Sequence, residues 1–345
     1  MDAAKMQLPE EELLSALEAQ RAVGESFLHP DHRPRNVVGM GVGVKWTGGE
    51  PTGRPALVVL VTEKKEEAEL APQDLVPREL NGVETDVLAI GHPCAGMIPL
   101  AATRELAVRV RPARGGFSVG HYQTTAGTMA TAVYDLLPEG RVSPPRTGIG
   151  MPPRYFLLSN NHVLANQNAA RAGDPILQPG PYDGGHDPED RIARLSRFVP
   201  LTFYPPTPLH QHQNLVDAAL AEGDFPQLDR EIYWIGRVRG WKPKSRVQVG
   251  MLVQKTGRTT GYTVGRITVV NATVDVSYGA GKVARFREQI ITTSMSAPGD
   301  SGSLITTLDN VAVGLLFAGS PLATIANQIE NVRSLLRVEV GEVVG

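Results

Sequence analysis

The sequence predicts a mainly β protein: two successive small β-barrels, with a small α/β unit ahead of them and a helix closing the chain. Three observations carry this. The chain holds 36 glycines and 27 prolines in 345 residues, half as many again as the usual ~12%, a composition of tight turns between short strands. Short apolar runs recur from residue 116 onward at the spacing of hairpin-linked strands. Helical periodicity is confined to the two ends.

The opening helix is expected over 9–24, where Leu13, Leu14 and Leu17 share a face and Pro9 with Glu10, Glu11 and Glu12 suits a helix N-terminus. A strand follows in which Val38, Met40, Val42 and Val44 alternate with Gly39, Gly41 and Gly43. Its glycine face is bare enough for another backbone to approach. Two more strands, 56–62 and 85–90, flank a charged helix or turn and complete a unit over 1–112. The glycine triplet is not a dinucleotide loop, because its spacing is G-x-G-x-G and no helix follows it.

Strands are then expected at 128–134, 155–159, 175–178, 192–198 and 215–221, and again at 233–238, 248–254, 261–270, 286–292, 303–306 and 311–317. Two such sets make a first barrel over 113–228 and a second over 229–345. Polar or proline-rich loops, 138–154 and 179–213, lie within the first and are placed to act as lids. The closing helix, 324–336, carries Ile325, Ile329, Val332 and Leu336 at helical spacing.

Charge and composition exclude several classes of function. Lys and Arg total 34 against 36 Asp and Glu, a net charge of −2, so no basic excess marks a nucleic-acid or membrane-surface binder. The apolar runs at 56–61 and 311–318 fall far short of the ~18 residues of a membrane helix. The N-terminal residues carry acids where a signal peptide has its apolar stretch. A single cysteine, Cys94, forbids an intrachain disulfide, so the expected setting is the reducing cytoplasm. No cofactor or metal is expected. His186, Asp187, Glu189 and Asp190, near Asp183, lack EF-hand spacing and read as a solvated loop. His210 and His212, near Asp217, lack the H-E-x-x-H pattern.

Three short segments carry chemistry: 157–165 (LLSNNHVLA), 214–221 (NLVDAALA) and 297–304 (APGDSGSL). Each is weak alone, since a loop histidine or a strand-end aspartate is usually a structural group. Together, in two successive β-rich halves, they supply a base, His162, an orienting carboxylate, Asp217, and a nucleophile, Ser301. A serine hydroxyl attacks an amide only if a base takes its proton, and the carboxylate fixes the tautomer of that base. Glycines on both sides of Ser301 allow a sharp turn, so that the N–H groups of Gly299 and Ser301 can converge on the developing oxyanion. Losing one such donor typically costs about 2.7–4 kcal/mol of barrier lowering.

On these residues the stretch from 116 to about 337 resembles a chymotrypsin-fold, trypsin-like serine peptidase, and 253–265 (VQKTGRTTGYTVG) resembles the α-lytic branch of the bacterial enzymes. The resemblance implies two orthogonal six-stranded barrels with the triad between them, and a Gly-Arg-Thr-Thr-Gly arginine paired with the aspartate before the nucleophile. The matching residues are Arg258 and Asp300, expected as a buried pair. Cysteines of that branch are replaced by Gln254 and Val264, the residue before the base is Asn161, and Ser303 stands where a second glycine is common. The chain from His162 through GDSG, with the run at 178–185 (QPGPYDGG), is also similar to bacterial trypsin-like peptidases and plant narrow-leaf proteases that carry an extra N-terminal module.

The expected activity is therefore serine endopeptidase cleavage of protein or peptide substrates. By position relative to Ser301, the substrate pocket is expected to have Met295 at its base and Phe317, Ala318 and Gly319 along one wall. None is acidic, which favours small or apolar residues over Lys or Arg before the scissile bond. A binding or scaffold protein in protease form, a partner-gated protease with a closed site, and esterase action on small acyl esters stay open. So does the N-terminal unit: a pro-segment cut near Arg111 and Arg114, or a retained module for self-assembly or a regulatory partner.

Overall fold

The computed structural model describes residues 3–98, 100, 105–136 and 154–341, so most of the 138–154 loop lies outside the described residues. Its strands are mainly antiparallel and form two large sheets. One, of eight strands, runs Val338–Glu339, Ala132–Asp135, Tyr155–Ser159, Ala219–Gly223, Arg191–Phe198, Pro175–Leu177, Ser118–His121, Gly127–Thr128. The other, of ten, runs Leu252–Gly257, Leu304–Thr307, Ala312–Gly319, Ala323–Gln328, Val283–Thr293, Gly261–Ser277, Val37–Thr47, Glu50–Val61, Val83–Ala89, Glu79–Leu80.

The N-terminal strands thus extend the sheet of the second β-unit. The bare glycine face explains why. Gly39 lies opposite Val274, and a Cβ on Gly39 would fall 2.3 Å from the Thr273 carbonyl oxygen; one on Gly41 would meet Val269 at 2.5 Å. Only a strand stripped of side chains there admits the Gly261–Ser277 backbone so closely. Met40, Val42 and Val44 of the other face join the helix Glu10–Phe27 and Val253, Ile267, Ile305 and Val313 in one continuous core, whereas Val38, expected with them, packs against a second core that includes Val58 and Leu60. Leu13 faces that core, whereas Leu14 is exposed. The stretch between the expected strands holds two single turns, Glu67–Glu69 and Pro72–Asp74.

The junction at Arg111 and Arg114 is also built in. Ala113–Gly115 pairs in parallel with Leu228–Ile232, and Arg111 donates to the carbonyl and side-chain oxygens of Gln178. At the C-terminus, Ala323–Gln328 is a strand between Val283–Thr293 and Ala312–Gly319, and the helix is confined to Ile329–Leu336. Ile325 fits helical spacing with Ile329, yet residues 323–328 are buried throughout, which a strand flanked on both edges demands and a surface helix does not. Among the described residues no helix is long and apolar enough to cross a membrane.

Candidate active site

The strand Tyr155–Ser159 delivers the chain into a one-turn helix, Asn161–Leu164, that carries His162. Asp217 stands just before the neighbouring strand Ala219–Gly223 rather than inside it. Its main chain is taken by side chains: the N–H donates to Asn327 Oδ1 at 3.0 Å, and the carbonyl accepts from Asn160 Nδ2 at 2.7 Å. The carboxylate is fully buried and fully occupied. Its Oδ2 accepts from His162 Nδ1 at 2.6 Å and from the Tyr278 hydroxyl at 2.6 Å, and Oδ1 accepts from the His162 backbone N–H at 3.1 Å. A carboxylate only accepts here, so Nδ1 carries the imidazole proton and Nε2 is left as the basic nitrogen.

Tyr278 was not read from the sequence as a site residue. It comes from the turn after Gly261–Ser277, packs edge-on to the His162 ring at 6.0 Å, and is itself buried. Burial and the adjoining Asp217 carboxylate push its phenol well above the usual tyrosine range, so it remains a donor. The sequence signal available was slight: a tyrosine ending an alternating strand before a Gly-Ala-Gly turn. Asn161 also gains a role, since its side chain donates to Val199 O and Asn168 Oδ1, each at 2.8 Å, and anchors the loop behind the histidine.

Ser301 sits in a tight turn. The Ser301 carbonyl accepts from Thr128 N at 2.7 Å, and Ser303 Oγ donates to the Asp300 carbonyl at 2.6 Å. Gly302 has φ +98°, and a Cβ there would lie 2.1 Å from Thr128 O. Ser303, the departure from glycine, therefore closes the turn, while position 302 has no room for a side chain. The Pro298 carbonyl is held by Leu100 N at 3.1 Å and Thr259 Oγ1 at 2.8 Å. In a planar trans peptide this turns the Gly299 N–H the other way. Neither that N–H nor the Ser301 N–H meets a partner among the described residues.

Beneath the turn the charges are paired differently from the expectation. Asp300 accepts from Lys255 Nζ at 3.2 Å, Thr260 Oγ1 at 2.6 Å and the amides of Ala297, Thr259 and Thr260 at 3.0, 2.8 and 3.1 Å. Arg258 instead grips Asp183 through two bonds, Nε to Oδ2 at 2.8 Å and Nη2 to Oδ1 at 2.5 Å. The expected Arg258–Asp300 pair is thus replaced by Lys255–Asp300 and Arg258–Asp183. The Gly-Arg-Thr-Thr-Gly loop still holds Asp300, but through its threonines. Lys255 was legible in principle: two residues from buried Val253, it shares the inward face of one strand, and an ammonium there needs a counter-ion. Burial lowers the Lys255 pKa, opposed by the Asp300 carboxylate.

His162 and Ser301 line one cleft of about 670 Å³, with Ala318, Gly319, Ala297 and Pro298 among its walls. Ser301 Oγ lies 3.4 Å from Phe317 O. Met295 and the Phe317 ring do not line it: Met295 Sδ fills the space beside Gly265, and Phe317 packs against Phe286 with ring centres 4.6 Å apart. Of the four expected pocket residues, Ala318 and Gly319 are wall and the other two lie behind it. The loop acids are engaged by the chain, Asp187 by Arg191 and Asp190 by the His186 amide. His212 is held by the Thr207 carbonyl and the Arg285 amide, and burial lowers its pKa.

No family model matches the chain. A curated relative, "Serine protease 2" of Streptomyces fradiae, is 37% identical over 94 residues, which is 27% of this chain and 51% of the relative. The chain thus spans about half the length of the curated relative it matches. Among solved structures it is similar to Thermobifida fusca protease A, at 14% identity and a TM-score of 0.43 over 66% of this chain and 96% of that one. It is likewise similar to Nocardiopsis protease, at 16% identity and a TM-score of 0.42 over 66% and 98%.

Proposed function

We propose that the protein is a chymotrypsin-like serine endopeptidase acting on protein or peptide substrates through His162, Asp217 and Ser301. The observation that carries this is the buried 2.6 Å contact from Asp217 to His162 Nδ1, in a cleft that the histidine shares with Ser301. That contact leaves Nε2 as the basic nitrogen. Ser301 Oγ attacks the carbonyl carbon, Nε2 takes its proton, and the oxygen that becomes negative is received by the N–H groups of Gly299 and Ser301. The proton then passes to the leaving amine as the C–N bond breaks, and water releases the acyl group by the same steps in reverse.

Apolar walls at Ala297, Pro298 and Ala318 support small or apolar residues before the scissile bond. The single cysteine, Cys94, leaves no partner for an intrachain disulfide, which supports action in the cytoplasm. The test is a fluorophosphonate probe at neutral pH, followed by mass spectrometry of the digested adduct. The expected result is one adduct, on the peptide containing Ser301. An unlabelled but folded protein, or an adduct elsewhere, overturns the assignment and favours a binding protein in protease form.

A further inference from the structure

One wall of the cleft is a segment of the chain that pairs with the edge of the site, with Cys94, Ala95, Gly96 and Met97 lining it. Residues 93–95 lie between two strand ends and are bridged to both. On one side Cys94 N donates to Gly319 O at 3.0 Å and Gly319 N donates to Cys94 O at 3.1 Å, an antiparallel bridge. On the other, Ala95 N donates to Ser277 O at 2.9 Å and Ser277 N donates to Pro93 O at 3.0 Å. Beyond them the segment turns toward the histidine: a Cβ on Gly96 would stand 3.8 Å from His162 Cδ2. Leu100 donates to Pro298 O and accepts from Arg258 Nη1 at 2.5 Å.

The place this segment takes is the one a peptide needs. An extended peptide docks on a β-protein chiefly through main-chain hydrogen bonds to a free strand edge. The edge that runs up to Ser301 is the end of Ala312–Gly319, since Phe317 O lies 3.4 Å from Ser301 Oγ and Ala318 and Gly319 line the cleft. At Gly319 both main-chain groups are already spent on Cys94. Because the occupant is tethered, its effective concentration is of order millimolar, which a free peptide of ordinary affinity does not match.

We propose that residues 93–95 of this chain hold the Phe317–Gly319 edge, where an extended peptide would dock beside Ser301, in a self-occupied state. Turnover then requires the incoming peptide to displace this strap, a regulation of the site that rests on Ser301 being the nucleophile. The small side chains at Ala95 and Gly96 describe what the edge accepts beside His162.

The test uses the full chain with Cys94→Pro, which removes the N–H given to Gly319, and separately Ala95→Pro, which removes the one given to Ser277. The probe is a fluorescein-tagged copy of residues 91–98 with serine at the cysteine position, titrated by anisotropy in a Ser301→Ala background. Binding at least ten-fold tighter in the proline variants than in their parent is expected. Equal affinity, or binding by none, overturns the strap. Fluorophosphonate labelling in the Ser301 background is read separately: its absence alongside tightened binding counts against the nucleophile and leaves the strap standing. Should the proline variants not fold, amide exchange of the unsubstituted protein decides. Cys94, Ala95 and Gly319 exchanging at least a hundred-fold slower than the Gly96 and Met97 amides supports the strap, and comparable rates overturn it.

Discussion

Asp217→Asn is expected to leave the fold intact and to lower turnover by about 10⁴-fold, the loss typical of a triad whose histidine is forced into the wrong tautomer. The wild-type carboxylate accepts three hydrogen bonds: two at Oδ2, from His162 Nδ1 and Tyr278, and one at Oδ1, from the His162 amide. An asparagine has one carbonyl. Placed at Oδ2, it sets its NH₂ against the His162 N–H; placed at Oδ1, it sets the NH₂ against Nδ1 and the phenol. In the second orientation Nδ1 must lose its proton, and the proton then sits on Nε2, where it blocks uptake from Ser301. Second-order rates of fluorophosphonate labelling read the effect, with thermal unfolding as the control. A fall of less than ten-fold would remove Asp217 from the mechanism.

Tyr278→Phe keeps the ring packing and deletes one donor. A hydrogen bond to a charged group contributes about 1.5–3 kcal/mol, or roughly 10–100-fold if all of it is felt in the transition state. Its pH dependence has a definite sign. The phenol is raised in the folded protein, so its contribution is complete below the unfolded tyrosine value of about 10 and is lost as pH rises through the folded value. Wild type should therefore lose stability relative to Tyr278→Phe on the alkaline side, as seen in urea midpoints across pH. A difference that stays constant as pH rises past about 10 would contradict the assigned donor.

The parts of this molecule that were legible in the sequence are those whose signal is local. The β-run before His162 and the glycines around Ser301 are local signals, each weak alone and suggestive only in their joint order along the chain. The strand Tyr155–Ser159 was legible as a short apolar run and Val37–Thr47 through alternation, and the glycine face even declared that a backbone would cover it. Which backbone did so was not legible, since Gly261–Ser277 lies more than two hundred residues away. The charge partners failed for the same reason. Asp183 reaches Arg258 and Lys255 reaches Asp300 across separate elements, and a motif states which charge is present without stating what neutralises it.

That substitution of partners makes Lys255 the residue whose loss should be felt most in stability. Lys255 and Asp300 are both fully buried at 3.2 Å, and removing one member of such a pair typically costs about 3–5 kcal/mol because the other charge is stranded. Lys255→Met is expected to destabilise by that amount and to abolish labelling of Ser301, since Asp300 is the residue before Ser301 and its amide and carbonyl shape the turn. Asp300→Asn added to Lys255→Met leaves no stranded charge, so the double variant should be more stable than Lys255→Met alone by at least about 1 kcal/mol, a coupling expected of contacting groups. Arg258→Met should be costly too, but Asp183 rather than Asp300 is then the stranded carboxylate, so adding Asp300→Asn to it should recover nothing. Chemical denaturation of these five proteins, wild type included, separates the two pairings. Recovery by Asp300→Asn in the Arg258 background, and none in the Lys255 background, would restore the arginine to the place its motif suggests.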